Sequence, residues 1–458
     1  PFFLTEKVHK ALINIFGSRV TNKPIDLQAY SRDISPARET LASFVVKPQS
    51  TDEISNLLQI ANKYKVPVYV RGGGTSHWAG WLPVKGGILI DMRGMNKIIK
   101  IDEESLTATV QAGCTWYKLE KELKKRGLVY LASELGGPSM TVGGSIVKAG
   151  GGPYGTCKYG LHGYCDVVAL EVVLPTGEVI RTGSQAYKNV PPFDRFGAGP
   201  DLTSFFIGSE GTLGVITEVT LRVRPAPEKE EYLYFVFKNW KNVEKVGSLI
   251  CRPFGDELAY TFYAFQDATD LENIHCFIHV YGYSSEEAEL RVRKIREICN
   301  KYGGKEQDSE PVKALYESKW FLPDIFERGV WHFVGGSVPI NNLVPFVEVW
   351  KDIVINKYKF LNCAFGAWPY PRAWLPYVQF YYKEPDEWDL IWEITDVLTK
   401  EYVRMGMIPY RIGGPEGFLP YVKPQLNGYY EFLKRLKKFL DPNNILQPGI
   451  LIDQEEEP

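Results

Sequence analysis

The sequence predicts an α+β protein that consists of two domains and a C-terminal segment. Three observations predict this fold class. A strand–helix–strand pattern at 43–70 leads into the first of three glycine-rich loops, and short strands follow it. After a Pro/Glu-rich boundary at 225–231, aromatic strands alternate with longer helices. The end of the chain contains a basic amphipathic helix, which we expect to stop at Asp441 and Pro442.

The composition is that of an ordinary globular protein. The chain has 458 residues, enough for two or three domains, and 53 basic against 55 acidic residues give a net charge of -2. This balance does not favour nucleic acid as a partner. No apolar run reaches the roughly 18 residues that span a bilayer, and the N-terminus reads as an amphipathic helix rather than a signal peptide. We therefore predict a cytoplasmic protein, with docking onto a membrane complex as the alternative.

Cysteine and histidine spacing predicts no metal site. The seven cysteines are scattered without any CxxC pair, which argues against zinc ribbons and cysteine-ligated iron–sulfur clusters in this chain. His275 and His279 share one face of a predicted strand. With no third ligand nearby, we interpret them as sheet-surface histidines rather than as a metal pair.

The first domain opens on a strand–helix–strand unit. Residues 43–46 form a short β-branched run, and Ser50 followed by Glu53 is a capping box that predicts the start of a helix. A second strand at 66–70 ends where the glycines of 71–80 begin. The first glycine loop is therefore expected at the end of a strand.

The remaining elements follow from similar patterns. In the first domain we predict a helix at 116–126 and a hairpin turn at 175–177. In the second domain we predict strands at 232–237, 275–283 and 377–382 and helices at 285–302 and 387–403. The predicted units are a first domain at 1–228, a second domain at 229–405 and a C-terminal segment at 406–458.

The stretch RGGGTSHWAG at 71–80 predicts an anion-binding loop. Three glycines let consecutive amides form a concave nest for a phosphate or pyrophosphate, and Arg71 adds positive charge. A Rossmann motif would open a helix here, but Pro83 and a further Gly-Gly pair follow instead. A glycine-rich turn without a ligand is the alternative.

Two further glycine stretches strengthen the ligand interpretation. Residues 141–146 and 150–156 form one of them, and 208–214 forms the other, just before a strand. Three such loops in one domain indicate a long ligand that lies between them, with a diphosphate in its middle.

These motifs resemble a known family. RGGGTSHWAG, TVGGSI with GGGPYGTCKYG, FFIGSEGTLGVITEVTLRVRP and the terminal LDPNNILQPG resemble the FAD-binding signatures of the vanillyl-alcohol oxidase and para-cresol methylhydroxylase superfamily. The resemblance implies a two-part FAD-binding domain that holds FAD in an extended conformation. It also implies an α+β cap domain over the isoalloxazine and a C-terminal helix that returns to the FAD-binding domain.

The resemblance assigns cofactor-binding residues to the three glycine stretches. Residues 71–80 and 141–146 would hold the pyrophosphate, and 208–214 would lie near the ribityl and adenosine portions. The expected cofactor-binding residues are Arg71, Gly72, Gly73, Gly74, Thr75, Ser76, His77, Gly80, Pro138, Ser139, Thr141, Val142, Gly143, Gly144, Ser145, Gly151, Tyr154, Gly155, Tyr159, Gly160, Glu210, Gly211, Gly214, Val215 and Ile216.

Relatives that attach the flavin covalently use a histidine four residues after the arginine of the first loop. Here that position is Thr75, and His77 lies two residues later. We therefore expect non-covalent FAD.

Four residues are candidates for catalysis. The string YGLH resembles one next to the flavin in the para-phenol branch of the superfamily, which makes His162 the first titratable candidate; a structural histidine is the alternative. Tyr410 and Arg411 resemble the substrate-pocket pair of that branch, with a buried tyrosine and a surface arginine as the alternative. Lys148 falls where that branch keeps an acidic residue near the flavin, and a lysine cannot serve as the same base.

An aromatic cluster in the second domain supplies the candidate substrate residues. Trp368, Tyr370 and Tyr381 are expected to line an apolar pocket above the flavin, although such a series, which includes Trp374 and Tyr377, is more often cap-domain core. We expect one or two of the cluster, not all, to reach the pocket.

The sequence lies between two branches of the superfamily. The branch that oxidises D-2-hydroxy acids carries a histidine/acidic metal motif in its cap and an acidic–His–Gly string near its end. The corresponding regions here read NCAFGAWPYP and RIGGPEGF, without either histidine. A metal-assisted lactate-type site is therefore not expected.

The leading functional hypothesis is an FAD-dependent oxidoreductase. It would abstract a hydride from a small alcohol-type substrate, either a 2-hydroxy acid such as glycolate or D-lactate, or a benzylic alcohol or para-substituted phenol. Electrons would pass to oxygen or to a separate iron–sulfur or other acceptor subunit; assembly into a homo-oligomer stays open. The alternatives are a non-oxidase that makes ether lipids and a flavoprotein electron-relay subunit without a substrate of its own.

Overall fold

The computed structural model describes nine stretches of the chain. They are residues 2–35, 37–76, 78–130, 137–149, 166–251, 260–318, 327–370, 372–410 and 419–452, with only the backbone described at 2–5 and 260. Within these stretches, none of the helices has both the length and the apolar character needed to cross a bilayer.

The first part of the chain begins with a four-stranded sheet. Its strands lie in the order β1-β2-β4-β3, and β2, β4 and β3 run parallel. The strands are β1 (Val20–Thr21), β2 (Phe44–Val46), β3 (Val68–Arg71) and β4 (Ile88–Asp91). The first glycine loop leaves the carboxyl end of β3, and no helix lies between this loop and β4, as the sequence predicts.

The crossover between β2 and β3 is the helix α3, Thr51–Tyr64. Its N-cap is Ser50, whose hydroxyl accepts from the amide of Glu53 at 3.3 Å. The Glu53 carboxylate accepts from the amide of Gln49 at 2.7 Å and forms an ion pair with Arg19. The capping residue expected from the sequence is thus confirmed, and Glu53 additionally fixes the segment that precedes the helix.

A five-stranded antiparallel sheet follows, in the order β5-β6-β10-β8-β9. The strands are β5 (Ile98–Asp102), β6 (Thr107–Gln111), β8 (Val167–Val173), β9 (Val179–Arg181) and β10 (Val215–Arg222), and a two-stranded ladder joins β7 (Leu128–Val129) to β11 (Arg224–Pro225). The predicted turn between β8 and β9 is present, with Gly177 at φ 91°. Such a positive φ is accessible to glycine without strain.

Apart from α3, the described residues of this part form one long helix, α1, and four short ones. They are α1 (Phe2–Phe16), α2 (Pro24–Gln28), α4 (Trp116–Lys124), α5 (Val142–Val147) and α6 (Leu202–Phe206). α4 ends two residues earlier than expected, and Gly127 adopts φ 64° just beyond it. α5 lies where the sequence suggested a loop, because Thr141 caps a helical turn there.

The second part of the chain forms one eight-stranded sheet, which we call the cap sheet. Its order is β15-β12-β14-β13-β17-β18-β16-β19. The strands are β12 (Lys229–Phe237), β13 (Tyr260–Asp267), β14 (Ile274–Gly282), β15 (Lys305–Gln307), β16 (Val330–Pro339), β17 (Cys363–Tyr370), β18 (Ala373–Tyr382) and β19 (Ile408–Pro409). β19 falls in the segment that the sequence assigned to the C-terminal return, yet it pairs with β16.

Helices pack on both faces of the cap sheet, and further helices complete the C-terminal segment. They are α7 (Trp240–Cys251), α8 (Ser285–Lys301), α9 (Glu310–Glu317), α10 (Val344–Trp350), α11 (Trp388–Arg404), α12 (Leu419–Val422) and α13 (Tyr429–Leu440). The large core of the cap sheet is separate from the core of the first part, to which Ile445, Leu446 and Ile452 contribute from the C-terminal segment. The end of the chain therefore packs on the first part, as the sequence predicts.

Candidate cofactor and active site

A long cavity connects the glycine loops of the first part with the cap sheet. It encloses about 1320 Å³ including its opening to solvent. Its lining combines the backbone of the glycine loops, apolar side chains of the first part and aromatic side chains of the cap sheet. The described residues that line it are Val70, Gly72, Gly73, Gly74, Thr75, Ser76, Trp78, Gly80, Trp81, Met92, Ala112, Met140, Thr141, Gly143, Gly144, Ser145, Val147, Lys148, Glu210, Gly211, Gly214, Val215, Ile216, Trp331, Phe333, Trp368, Tyr377, Tyr410 and Gln447.

The first two glycine loops pack directly against each other. A Cβ on Gly73 would lie 1.9 Å from the carbonyl oxygen of Ser139, and one on Gly72 would lie 2.3 Å from the hydroxyl of Thr141. Packing between the two loops therefore requires glycine at positions 72 and 73, whereas the motif itself indicated only the approach of a ligand. The cavity surface between the loops consists of backbone and small polar groups, which suits a phosphate.

Arg71 lies behind the first glycine loop rather than in the cavity wall. Its guanidinium stacks on the rings of Tyr30 and Trp81, at 5.1 and 4.9 Å from their centroids. Burial lowers the pKa of Arg71, and the nearby Asp91 carboxylate opposes this shift. Nε and Nη1 are buried without a hydrogen-bond partner among the described residues. A buried cation beside Gly74 contributes positive potential to the loop.

The second glycine loop opens the helix α5. Thr141 is its N-cap and accepts from the amide of Gly144 at 3.3 Å. A Cβ on Gly143 would lie 2.5 Å from the Cβ of Ala112, so glycine lets the helix approach β6. The first turn of α5 faces the cavity, where helix amides favour an anion.

The third glycine loop and the C-terminal segment close the middle of the cavity. Gln447 is 2% exposed and donates through Nε2 to the carbonyl oxygens of Gly80 at 3.2 Å and Glu210 at 3.0 Å. Its Oε1 accepts from the amide of Val70 at 3.1 Å. A single buried side chain thus joins the first and third loops to β3.

Aromatic rings form the far end of the cavity. Trp78, from the first loop, packs on Phe333 of the cap sheet at 4.9 Å between centroids. Tyr377 contacts Trp368 at 5.0 Å, and Phe333 contacts Tyr410 at 5.8 Å. The contact of Trp78 with Phe333 joins the two parts of the chain at this end of the cavity.

Two of the three predicted substrate residues lie away from the cavity. Tyr370 donates to the hydroxyl of Ser337, and Tyr381 stacks under the guanidinium of Arg328 at 4.4 Å. Tyr381 shares a strand face with Tyr377 but lies four residues further along, about 13 Å away at the usual rise of a strand. Tyr370 and Tyr381 are thus not among the described residues that line the cavity, whereas Trp368 is, and the substrate roles of all three stay predictions.

The ring of Tyr377 packs against Gly366, where a side chain would clash with it. A Cβ on Gly366 would lie 2.6 Å from Cζ and 2.7 Å from the hydroxyl of Tyr377. That hydroxyl donates to the hydroxyl of Tyr263 at 2.6 Å, so both the ring and its proton are oriented.

We expect Gly366→Ala to displace the Tyr377 ring and to lower the stability of the protein by about 1–3 kcal/mol, as overpacking in a core does. Denaturant unfolding of the FAD-loaded protein measures this. The double variant Gly366→Ala/Tyr377→Ala, in which the clash is removed, should lose less than the sum of the two single variants. Additive losses would contradict the proposed clash.

The structure leaves several predicted residues untested. His77, Gly151, Tyr154, Gly155, Tyr159, Gly160, His162 and Arg411 lie outside the described residues. Pro138, Ser139 and Val142 belong to the second loop but do not line the cavity, because Ser139 faces Gly73 and Val142 is fully buried in the core. Their roles, and that of Arg71, stay predictions.

The sequence missed residues that only the fold brings to the site. Asp33 accepts from the amide of Ala79 at 2.8 Å and from that of Ser35 at 2.9 Å. Burial raises the pKa of Asp33, opposed by the Ser35 bonds and the charge of Lys148. No motif marks Asp33. Gln447 is different, since it lies in the terminal string LDPNNILQPG that the resemblance singled out.

The two strand histidines have other partners. His275 Nδ1 lies 2.6 Å from the hydroxyl of Tyr234, and His279 Nε2 lies 2.8 Å from a carboxylate oxygen of Glu230. Across the stretches that the structure describes, no cluster of three or more metal-ligating side chains is found. The expectation of a chain without a metal site stays a prediction.

The cavity fits FAD in its residues and in its shape. Glycine backbone, the first turn of α5 and the charge of Arg71 surround the middle, as a diphosphate requires. Val70, Val215 and Ile216 add apolar surface to the lining, and the aromatic side chains of the cap sheet suit a flat ring system.

Comparisons with known proteins agree with this fit. The model of an FAD binding domain matches residues 42–183. The glycolate oxidase subunit GlcD of Bacillus subtilis is 29% identical, over 97% of both chains. A D-lactate dehydrogenase of Anaerostipes hadrus is 36% identical, over 88% of both chains.

Solved structures share the whole fold. The 4-ethylphenol oxidase of Gulosibacter chungangensis superposes with a TM-score of 0.85 at 18% identity, over 99% of this chain and 98% of that one. p-Cresol methylhydroxylase gives a TM-score of 0.83 at 18% identity, over the same shares of the two chains. The chain therefore belongs to the FAD-dependent oxidoreductase family that includes D-lactate dehydrogenases and the glycolate oxidase subunit GlcD, it has the fold of p-cresol methylhydroxylase, and FAD is its cofactor.

Proposed function

We propose that this chain removes a hydride from the hydroxyl-bearing carbon of a small 2-hydroxy acid and passes the electrons to a separate acceptor. One observation carries the proposal: the cavity formed by the glycine loops continues without interruption to the aromatic end under the cap sheet. The names of the relatives, glycolate oxidase subunit and D-lactate dehydrogenase, support a hydroxy acid as the substrate class.

Bound FAD supplies the two-electron acceptor for the hydride. The chain itself supplies orientation and a pocket lined by aromatic side chains. The backbone amide of Tyr410 donates a hydrogen bond to the carbonyl oxygen of Gly335 at 2.9 Å. Tyr410 lines the cavity, and Arg411 follows it in the sequence. These two residues would bind the carboxylate and hydroxyl of the substrate. His162 is the first candidate to take the hydroxyl proton.

The aromatic walls favour a second candidate substrate. Trp331, Phe333, Trp368 and Tyr377 line the cap end of the cavity and would suit a para-substituted phenol or benzylic alcohol better than a two-carbon acid. A 2-hydroxy acid with a bulky apolar group would agree with the substrate class in the names of the relatives and would also fit against the aromatic side chains.

The acceptor is a further part of the proposal. The relative of Bacillus subtilis is named as a subunit, which supports a separate electron-acceptor subunit for this chain, an iron–sulfur protein being one option. The alternative is an electron-relay subunit without a substrate of its own. Slow reoxidation of the dithionite-reduced protein by air would support a dehydrogenase with a partner, and fast reoxidation would support an oxidase.

Anaerobic bleaching of the bound flavin tests the substrate class. We expect 2-hydroxy acids, and among them those with apolar side chains, to bleach the absorbance of the flavin, and Arg411→Ala to raise the KM by at least tenfold, the usual scale for a lost charged hydrogen bond. Tyr187→Phe, at an exposed tyrosine, is the control. Bleaching by para-substituted phenols alone would select the second candidate, and no bleaching by any compound would select the relay.

A further inference from the structure

Four residues in or beside the loops that line the cavity have unfavourable backbone conformations. Ala79, Ala149, Glu210 and Gln447 have φ values of 55°, 50°, 51° and 50°. Each of these conformations costs a residue with a Cβ on the order of 1 kcal/mol or more. They come from the three glycine loops and the C-terminal segment. Such clustering of backbone strain is typical of functional sites.

The strained loops bring two opposite charges together. A Cβ on Gly80 would lie 2.2 Å from Nζ of Lys148 and 3.1 Å from Oε2 of Glu210, so both charged atoms lie close to a single point. Nζ of Lys148 also donates to the hydroxyl of Ser76 at 3.0 Å. Asp33 lies close enough to sense the charge of Lys148. The lysine is thus placed between two carboxylates.

One carboxylate oxygen of Glu210 lacks a hydrogen-bond donor in the part of the chain that the structure describes. Its residue is 6% exposed, and Oε2 is buried without a hydrogen-bond partner among the described residues. A buried carboxylate oxygen that lacks a donor is costly. Because Glu210 lines the cavity, a bound molecule can supply a donor to this oxygen.

The position of this charge pair along the cavity indicates which part of FAD it meets. Gly72 to Ser76 form the phosphate-binding middle, and Trp78 already contacts the cap sheet. Lys148 and Glu210 adjoin Gly80, next along the same loop. They therefore lie beside the part of the first loop that leads, through Trp78, to the aromatic end, where their charges can act on a ring system bound there.

We propose that Lys148 and Glu210 are opposed electrostatic residues that set the reduction potential of the bound FAD. The proposal rests on FAD binding and not on the identity of the substrate. Two-electron reduction adds negative charge to the flavin. The Lys148 ammonium stabilises that charge and raises the potential, while the Glu210 carboxylate, next to it, lowers the potential.

The midpoint potential and the affinity for sulfite, which forms an anionic adduct with flavins, test the proposal without any substrate. We expect Lys148→Met to weaken sulfite binding at least tenfold and to lower the potential by about 30 mV or more, the equivalent of tenfold for a two-electron couple. Glu210→Gln, nearly the same in shape, should shift both quantities in the opposite direction. Lys148→Arg keeps the charge and should stay close to the wild type.

Opposite shifts of the potential in Lys148→Met and Glu210→Gln distinguish an electrostatic role from a structural one. Lys100→Met, at an exposed strand lysine, controls for a change in net charge alone. If Lys148→Met weakens FAD binding and leaves the potential of the bound fraction unchanged, the lysine serves the phosphates and the proposal is wrong. If Lys148→Met does not fold, Glu210→Gln decides alone: an unchanged or lowered potential contradicts the proposal. Failure to find a substrate affects neither outcome.

Discussion

Lys437→Met is expected to destabilise the protein by about 3–5 kcal/mol, the usual cost of breaking a buried ion pair from one side. Lys437 and Asp441 both have fully buried side chains, with 2.6 Å between Nζ and Oδ2. The remaining protons of Lys437 are used by the carbonyl oxygens of Thr212 at 2.9 Å and Leu446 at 2.6 Å. Methionine fills the same space but leaves the Asp441 carboxylate without its cation.

The Lys437→Met substitution should also affect the binding of the cofactor. Lys437 joins α13 to Thr212 in the third glycine loop, and the turn that Asp441 organises leads to Gln447, which joins that loop to the first one. We therefore expect Lys437→Met to lower FAD affinity as well as stability, because the C-terminal segment holds the loops in register. FAD titration of the apoprotein and denaturant unfolding with and without FAD measure the two effects separately.

The adjacent lysine provides a matched control. Lys438 is exposed, so Lys438→Met changes the same net charge on the same helix and should alter the free energy of unfolding by no more than about 0.5 kcal/mol. Equal effects of the two variants would mean that net charge, and not the buried pair, accounts for the loss.

Much of the fold could be predicted from the sequence because it depends on local patterns. Ser50 and Glu53 mark the start of α3, and the turn at Gly177 lies between two β-branched runs, so their positions follow from hydrogen bonding and φ preferences within a few residues. The failure at 141–147 is also local. Two glycines disfavour a helix, yet Thr141 caps one that packs on β6.

The parts of the site that glycine motifs form could be predicted from the sequence. The parts that single side chains form could not. Strand alternation groups Tyr377 and Tyr381 on one face, but it does not say how far along the strand the cavity extends. Asp33 is separated from Lys148 by more than a hundred residues, and nothing in its neighbourhood distinguishes it from a surface aspartate. Such residues acquire their role only from tertiary packing.

Gly73→Ala is expected to weaken FAD binding at least a hundredfold, about 2.7 kcal/mol. The added Cβ would lie 1.9 Å from the carbonyl oxygen of Ser139 and 2.8 Å from its carbon. Both obstacles are backbone atoms, so no side-chain rotation relieves the clash. The first two glycine loops must separate, and the phosphate-binding surface that they share is lost.

The same variant shows why the glycine is needed. If loop–loop packing requires it, the apoprotein should also lose about 1–3 kcal/mol of stability; if only the ligand requires it, the apoprotein should be unaffected. Gly199→Ala is the control, because its Cβ would meet nothing within 4 Å and only its φ of 84° carries a cost. That variant should lose up to about 2 kcal/mol and bind FAD normally. A Gly73→Ala protein that binds FAD like the wild type would mean that the two loops do not form one cradle.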